Sequence, residues 1–103
     1  MKVKFAFDKE QIQQCGYTVD AVQQTILRGF VAKGLRCVSA DEPMTFTDSG
    51  RKEDFSNMWA ILMALLRTDW FPKFAASCIW YDDDGTQEDV LSQAWKIQRE
   101  KMV

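Results

Sequence analysis

The chain has 103 residues, of which 47% are apolar and 27% are charged, and its 13 basic and 15 acidic side chains leave a net charge of -2. That length suits one domain with a single core, and the apolar content excludes an intrinsically disordered chain. The sequence contains no histidine. Catalysis by a Ser-His or Cys-His pair is therefore excluded, along with the commonest metal ligand.

The first third of the sequence predicts a strand followed by two helices. The segment Lys2–Phe7 alternates between apolar residues and lysines, as expected of a strand with one face in a core. A capping-box spacing that begins at Asp8 predicts a short helix, and Gly16 is placed to end it. A longer helix with apolar residues at helical spacing then begins after Thr18 and ends at Gly34.

The middle of the sequence predicts a hairpin and a central helix. Residues 35–39 and Met44–Thr47 suit extended chain, and they flank an acidic connection, so a hairpin is the natural interpretation. Residues 55–66 are apolar on almost every side of a helix. Such a helix must be covered by the rest of the fold, which places it at the centre of the core.

The last third predicts a short helix, a strand and a final helix. Asp69 is placed to cap the short helix, and Pro72 is tolerated there because it falls in the first turn. Residues 77–81 read as a strand, and a turn rich in aspartate follows. Thr86 and Asp89 have the spacing of an N-terminal cap. They predict a C-terminal helix with an apolar face made by Val90, Leu91, Ala94, Trp95, Ile97 and Met102.

This order of elements predicts a single α+β domain over residues 1–103, with about four short strands in a mainly antiparallel sheet covered by helices. The longest apolar run, residues 58–66, is shorter than the roughly 20 residues needed to cross a bilayer, and the chain opens on no secretion signal. We therefore expect a cytoplasmic protein that contacts no membrane.

Three cysteines, which are odd in number and widely separated, predict neither a disulfide framework nor a zinc site. Cys37 lies beside Arg36 and is the one candidate for a reactive thiol, since a nearby cation lowers the pKa of a thiol. The alternating strand around Cys37 favours instead a buried and inert thiol.

Acidic side chains are concentrated in two segments: residues 40–54 and residues 80–103 each carry a net charge of -3, whereas residues 1–39 carry +3. If the fold brings both segments to one end of the sheet, their carboxylates form a surface that attracts a basic protein partner and repels nucleic acid. The competing interpretation is that these acids serve solubility and helix capping. The predicted partner-binding residues are Asp41, Glu42, Asp48, Glu53, Asp54, Asp82, Asp83, Asp84, Glu88 and Asp89.

A second candidate site combines aromatic and basic side chains between residues 67 and 74. Aromatic rings flanked by positive charge can stack single-stranded bases. The negative net charge and the packing of a short amphipathic helix favour a core role for the same rings. The residues of this alternative nucleic-acid site are Lys2, Lys4, Arg67, Trp70 and Lys73.

Motifs of catalysis are missing from the sequence. It contains no phosphate-binding loop, no dinucleotide fingerprint and no serine-nucleophile turn, so we predict no catalytic residue and no cofactor. The fragment from Asp82 to Gly85 has a superficial likeness to a calcium loop, but its glycine comes too early. A metal-dependent carboxylate enzyme stays open as a third alternative, with no metal ligand assigned.

Short strings over most of the chain resemble one group of proteins when they are read together. They are Lys4-Phe5-Ala6-Phe7-Asp8, Gly16-Tyr17-Thr18, Asp54-Phe55, Asp69-Trp70-Phe71, Ile79-Trp80-Tyr81-Asp82 and Glu88-Asp89-Val90-Leu91. The chain is similar to short uncharacterised accessory proteins carried by plasmids, phages and conjugative elements of gut bacteria.

That resemblance implies a setting in which small proteins commonly act by binding, including inhibitors of host RNA-guided nucleases. We therefore predict a non-catalytic intracellular binding protein of a mobile genetic element. Its acidic surface would face a basic, nucleic-acid-binding site on a protein such as a host nuclease. Self-association as a homodimer stays open, because exposed strand edges favour it.

Overall fold

A computed structural model describes residues 1–92 of the chain. After the first strand, helices and strands follow one another in pairs along this part of the chain. In chain order they are β1 (Lys2–Phe7), α1 (Lys9–Gln14), α2 (Val19–Ala32), β2 (Arg36–Ser39), β3 (Met44–Thr47), α3 (Asp54–Leu66), α4 (Phe71–Phe74), β4 (Ala75–Tyr81) and β5 (Gln87–Asp89).

The strands form one open sheet in the order β2-β3-β1-β4-β5, and every neighbouring pair is antiparallel. β1 is central, because Phe5 lies opposite Met44 of β3 on one side and Cys78 of β4 on the other. The first four strands and their helices follow the split β-α-β-β-α-β arrangement. The predicted α+β class is confirmed, with five strands in place of about four.

Aromatic rings around Phe5 make the centre of the core. Its ring meets those of Phe30 on α2, Phe46 on β3 and Phe71 on α4 edge-on, at centroid distances of 5.9, 6.0 and 5.8 Å. Val3 and Phe7 point to the same side of β1 as Phe5. They are buried in this core together with residues of all four helices. The described helices therefore cover one face of the sheet.

Local capping signals in the first third are confirmed. The carboxylate of Asp8 accepts a hydrogen bond from the backbone N–H of Gln11, and the hydroxyl of Thr18 accepts one from Ala21. Gly34 follows α2 with a φ of 75°, a left-handed conformation that glycine adopts without strain. These caps depend only on residues within one or two turns of the chain, so the sequence alone predicts them.

The predicted cap of α4 is wrong. No side chain caps the helix from the position before it, and the N–H of Phe71 instead donates to the hydroxyl of Thr68 at 3.0 Å. The hydroxyl of Thr68 also donates to the carbonyl of Leu65 at 2.6 Å. Thr68 thus joins the end of α3 to the start of α4, a double role that Asp69 cannot take because a carboxylate only accepts.

The predicted start of the last helix is also wrong. Gln87–Asp89 forms β5, in which Asp89 lies opposite Ile79, and the N–H of Thr86 donates to Asp84. Residues 87–89 pair as a strand with the outer edge of β4. This pairing stabilises them more than the helix cap that the local spacing predicts. Val90 is buried after β5, whereas the predicted helix residues Ala94, Trp95, Ile97 and Met102 lie outside the described residues.

Candidate functional site

The two ends of the sheet carry different parts of the predicted acidic surface. At the start of β1, Lys2 lies opposite both Thr47 and Tyr81, so the residues that follow β3 and β4 lie at this end. The amino nitrogen of Met1 accordingly contacts Asp83 and lies 3.4 Å from a carboxylate oxygen of Asp48. The structure therefore brings one residue of the first acidic segment next to the second segment.

Three consecutive aspartates make this end strongly acidic. Asp82, Asp83 and Asp84 are all exposed, and the side chain of Asp83 is 79% accessible. We call these three residues together with Asp48 the acidic end. The ammonium of Met1 offsets part of the charge of Asp48 and Asp83, and the four carboxylates together leave this end negative.

The turn that carries the aspartates is held by their own side chains. The carboxylate of Asp84 accepts hydrogen bonds from the hydroxyl of Thr86 at 2.7 Å and from its backbone N–H at 2.9 Å. These hydrogen bonds lower the pKa of Asp84 below its ordinary value. The carboxylate of Asp82 accepts the N–H of Asp83 at 2.9 Å. The turn therefore presents fixed negative charge at neutral pH.

Asp41 and Glu42 lie at the opposite end of the sheet. Glu42 accepts a hydrogen bond from the backbone N–H of Phe7 at 2.6 Å, and its other carboxylate oxygen lies 3.6 Å from the ammonium of Lys9. The hairpin that joins β2 to β3 carries these two acids away from Asp48. The ten predicted carboxylates consequently do not form one surface.

Asp54 is fully buried, which corrects its prediction as an exposed partner-binding residue. Its carboxylate accepts hydrogen bonds from the backbone N–H groups of Ser49 at 2.7 Å and Arg51 at 3.1 Å, and the Arg51 guanidinium lies 3.2 Å away. Burial acts to raise the pKa of Asp54, but these hydrogen bonds and the guanidinium outweigh it and the pKa lies below its ordinary value. Asp54 is a structural residue at the start of α3.

The other predicted acids lie along an edge or at a helix start. Glu53 is exposed immediately before α3. On β5, Glu88 lies opposite Trp80 and Asp89 lies opposite Ile79. Successive residues of a strand point to opposite faces, so Glu88 and Asp89 belong to different faces of the sheet.

An aromatic patch is formed where α3 packs on β4. Phe55 meets Trp80 edge-on at 5.8 Å between ring centroids, and Trp59 lies 5.0 Å from the same indole. Trp80 is buried, whereas Phe55 is 48% exposed. Trp80 is separated by one residue from Asp82. We call Phe55, Trp59 and Trp80 the aromatic patch. The sequence predicted that Phe55 is covered by the core, but the apolar face of α3 is too broad for the rest of the fold to cover all of it.

The residues of the predicted nucleic-acid site do not come together. Lys2 and Lys4 point away from the helices, and each ammonium lies 5.3 Å from the ring centroid of Tyr81. Trp70 is on the helical side, where it packs against Phe71 and Phe74. Arg67 and Lys73 are exposed on that side. Because side chains alternate between the two faces along β1, its lysines lie on the face of the sheet opposite the aromatic segment.

Sequence reasoning missed two adjoining depressions around Trp70. Both are walled by the rings of Tyr17, Trp70 and Phe74, and their volumes are about 340 and 210 Å³. The larger depression continues along the start of α2 to Thr25, and the smaller reaches Cys15. Tyr17 stands at the rim and is largely exposed. Their lining is mainly apolar. The feature of the sequence that comes nearest to indicating them is Tyr17, an aromatic residue in the turn before α2.

The cysteines divide by exposure. Cys78 is buried under the helices, and burial raises the pKa of its thiol. Cys37 is exposed, which corrects the expectation of a buried thiol, because β2 is an edge strand whose residues are reached by solvent. Cys15 is also exposed. Among residues 1–92, no three acidic or cysteine side chains are gathered in a way that could hold a metal ion.

The described part of the chain includes no helix with the length and apolar character needed to cross a membrane. Its sheet, helices and exposed surfaces define a small α+β domain with an acidic end and an aromatic patch between α3 and β4. Comparison of the chain with protein-family models, with curated proteins and with solved structures finds no match.

Proposed function

We propose that this protein is a non-catalytic binding protein whose acidic end takes a basic segment of a protein partner. The observation that carries the proposal is the position of Asp48 beside the exposed turn Asp82-Asp83-Asp84. Several like charges on one exposed surface attract a partner of opposite charge and fix its orientation.

Three of the basic side chains that the structure describes have partners away from the aspartate turn, which supports the proposal. The guanidinium of Arg51 is held by the buried Asp54, and Lys9 pairs with Glu42 at the far end of the sheet. Lys2 lies over the ring of Tyr81. Within residues 1–92 neither Asp82 nor Asp84 forms an ion pair, so their charge is available to a partner.

The setting of the proposal comes from the sequence resemblance. We place the protein in the bacterial cytoplasm as an accessory protein of a mobile genetic element, with a host nuclease among the partners that fit. Such an enzyme offers a basic surface that normally holds nucleic acid, and an acidic protein competes for that surface. This part of the proposal rests on the residues that carry the resemblance and not on the fold.

The direct test is affinity purification from the native host, followed by mass spectrometry, with three forms of the protein. The first is wild type, and the second replaces Asp82, Asp83 and Asp84 with Asn, which keeps an acceptor oxygen for the turn. The control replaces the exposed acids Glu10, Asp20 and Asp41 with amides and changes the net charge equally.

We expect a protein partner with wild type and with the control, and its loss from the Asp82-Asp83-Asp84 variant. Raising the salt concentration should also release the partner, because exposed charge pairs are screened within about 8 Å at physiological ionic strength. Full retention of the partner by that variant at low salt would contradict the role of the acidic end.

A nucleic-acid-binding function is the second candidate, because Lys2, Lys4 and Tyr81 lie together on the sheet face opposite the described helices. An aromatic ring with two ammonium groups nearby can stack a base while the lysines meet phosphates. Gel-shift assays with single-stranded and double-stranded DNA and RNA test this candidate. A shifted nucleic-acid band that disappears with Tyr81→Ala would support this candidate. The absence of any shifted band at low salt would eliminate it.

A further inference from the structure

We propose that the two depressions around Trp70 form one binding site for a free aromatic amino acid. They share a wall made by the rings of Tyr17, Trp70 and Phe74, and the larger depression has a volume of about 340 Å³. Small-molecule sites usually have volumes of about 300–1,000 Å³, so a ligand with one ring system is the size that fits. The site lies beside α4, which leads into the start of β4, whereas the aspartate turn follows the end of β4. It is therefore separate from the acidic end.

The shared wall offers aromatic rings whose positions the fold fixes. The buried ring of Phe74 lies 5.8 Å from the ring of Tyr17 and 6.3 Å from that of Trp70, measured between centroids. The backbone N–H of Tyr17 donates to the carbonyl of Ile12 at 3.1 Å, which holds this residue at the rim. An aromatic ring gains stacked or edge-on contacts with such a wall that an aliphatic side chain does not make. The wall therefore favours an aromatic ligand.

The larger depression suits the ring of the ligand. It continues along α2 past Ala21 and Val22 to Thr25, and among residues 1–92 no charged side chain lines it. The hydroxyl of Thr25 donates to the carbonyl of Ala21 at 2.9 Å, so its hydrogen is already used within the helix. We therefore place the ring here and the polar head group of the ligand in the smaller depression.

The smaller depression carries one charge of each sign. Asp69 and Lys73 both line it, and both are exposed. Within residues 1–92 neither forms an ion pair, with the other or with a third residue. A ligand with only a carboxylate would be repelled by Asp69, and one with only an ammonium would be repelled by Lys73. A head group with an ammonium and a carboxylate can pair with both, and an aromatic amino acid joins this head group to a ring.

The thiol of Cys15 allows binding to be measured at the site itself. Cys15 is exposed and lines the smaller depression, whereas Cys37 is exposed on the edge strand β2 and serves as the control. The full chain is alkylated with iodoacetamide in increasing L-tryptophan, and mass spectrometry of the peptides gives the rate at each thiol. At about nine times the Kd of tryptophan, we expect Cys15 to react roughly tenfold more slowly, by mass action, with Cys37 unchanged. No slowing at Cys15 up to the solubility limit of tryptophan, or equal slowing at both thiols, would overturn the site.

Three analogues, each without one feature of tryptophan, test the class of ligand. Tryptamine lacks the carboxylate, indole-3-propionate lacks the ammonium, and leucine lacks the aromatic ring. Because exposed ion pairs and ring contacts each contribute modestly, we expect the Kd of each analogue to be about 2- to 5-fold higher than that of tryptophan. If either indole analogue protected Cys15 as well as tryptophan does, the zwitterionic head group would be wrong. Equal protection by leucine would contradict the preference for a ring.

Substitution of the two charged residues connects each analogue to its residue. Tryptophan and tryptamine should bind equally to Lys73→Gln, and tryptophan and indole-3-propionate should bind equally to Asp69→Asn. Lys52→Gln changes an exposed lysine outside both depressions and should keep all the differences. Undiminished differences in folded Lys73→Gln and Asp69→Asn would overturn the assignment of the head group. Circular dichroism verifies folding of each variant, and the wild-type measurements do not depend on any variant.

Discussion

The buried carboxylate of Asp54 accepts hydrogen bonds from the backbone N–H of Ser49 at 2.7 Å and from its hydroxyl at 3.0 Å. This contact closes the loop between β3 and α3. The same loop carries Asp48 to the acidic end and positions Phe55 in the first turn of α3. Asp54 thus supports the candidate site without belonging to its surface.

Replacing Asp54 with Asn should destabilise the domain. The amide keeps an acceptor oxygen but loses the charge that faces Arg51 and adds an N–H₂ group among donors. We expect the midpoint of thermal unfolding to fall by about 5–10 °C, since a disrupted buried hydrogen-bond group is costly in a domain of this size. Glu53→Gln, one position away and exposed, is the control and should shift the midpoint by less than about 3 °C.

The stability of the protein should fall in acid. The folded pKa values of Asp54 and Asp84 lie below the ordinary value of 3.8. Their stabilisation is therefore present above that value and is lost as the pH falls through the folded pKa values. Urea unfolding between pH 6 and pH 2 measures the effect. Asp54→Asn should lose less stability over this range than wild type, and parallel curves for the two proteins would contradict the assignment.

Two glycines with positive φ allow a matched test of how firmly Arg51, in the loop between β3 and α3, is held against the end of α2. Gly16 has a φ of 83° and open space where a Cβ would lie, whereas at Gly34, with a φ of 75°, a Cβ would meet the guanidinium of Arg51. That guanidinium also donates to the carbonyl of Lys33. Gly16→Ala should cost about 1–2 kcal/mol through backbone strain alone.

Gly34→Ala should cost more than Gly16→Ala, because Arg51 must also leave its contacts with Lys33 and Asp54. Urea denaturation of the two variants gives the comparison. In an Arg51→Ala background the difference between the two glycine substitutions should disappear. Equal costs in the wild-type background would mean that Arg51 moves freely.

Thiol reactivity should divide the cysteines into two classes. Cys15 and Cys37 are exposed, and Cys78 is buried with a raised pKa, so its thiolate is scarce. An aromatic disulfide reagent should titrate two thiols rapidly in the folded protein and the third only after denaturation. Cys37→Ser should remove one rapid equivalent and leave the rest. Three rapid equivalents in the folded protein would contradict the burial of Cys78.

The parts of the fold that were predicted correctly depend on short-range patterns. Alternation along Lys2–Phe7, the caps at Asp8 and Thr18 and the helix end at Gly34 each involve neighbours in the chain. The errors at Thr86 and Asp69 have different causes. At Thr86 a distant strand, β4, pairs with the backbone groups of residues 87–89 that the local pattern assigned to a helix. At Asp69 the error is itself local, because the neighbouring Thr68 takes the capping role through its hydroxyl, which both donates and accepts.

The amino-acid sequence by itself determined the α+β class, because apolar periodicity and capping are local consequences of residue order. Only the tertiary structure decided which acids meet. Asp48 and Asp83 are far apart in the chain and become neighbours through the antiparallel pairing of β1 with β3 and β4, while Asp54 turns inward and Glu42 is carried to the other end. Charge repulsion and solvation are similar for an acid in any loop, so its final place is set by the pairing of strands, which composition does not encode.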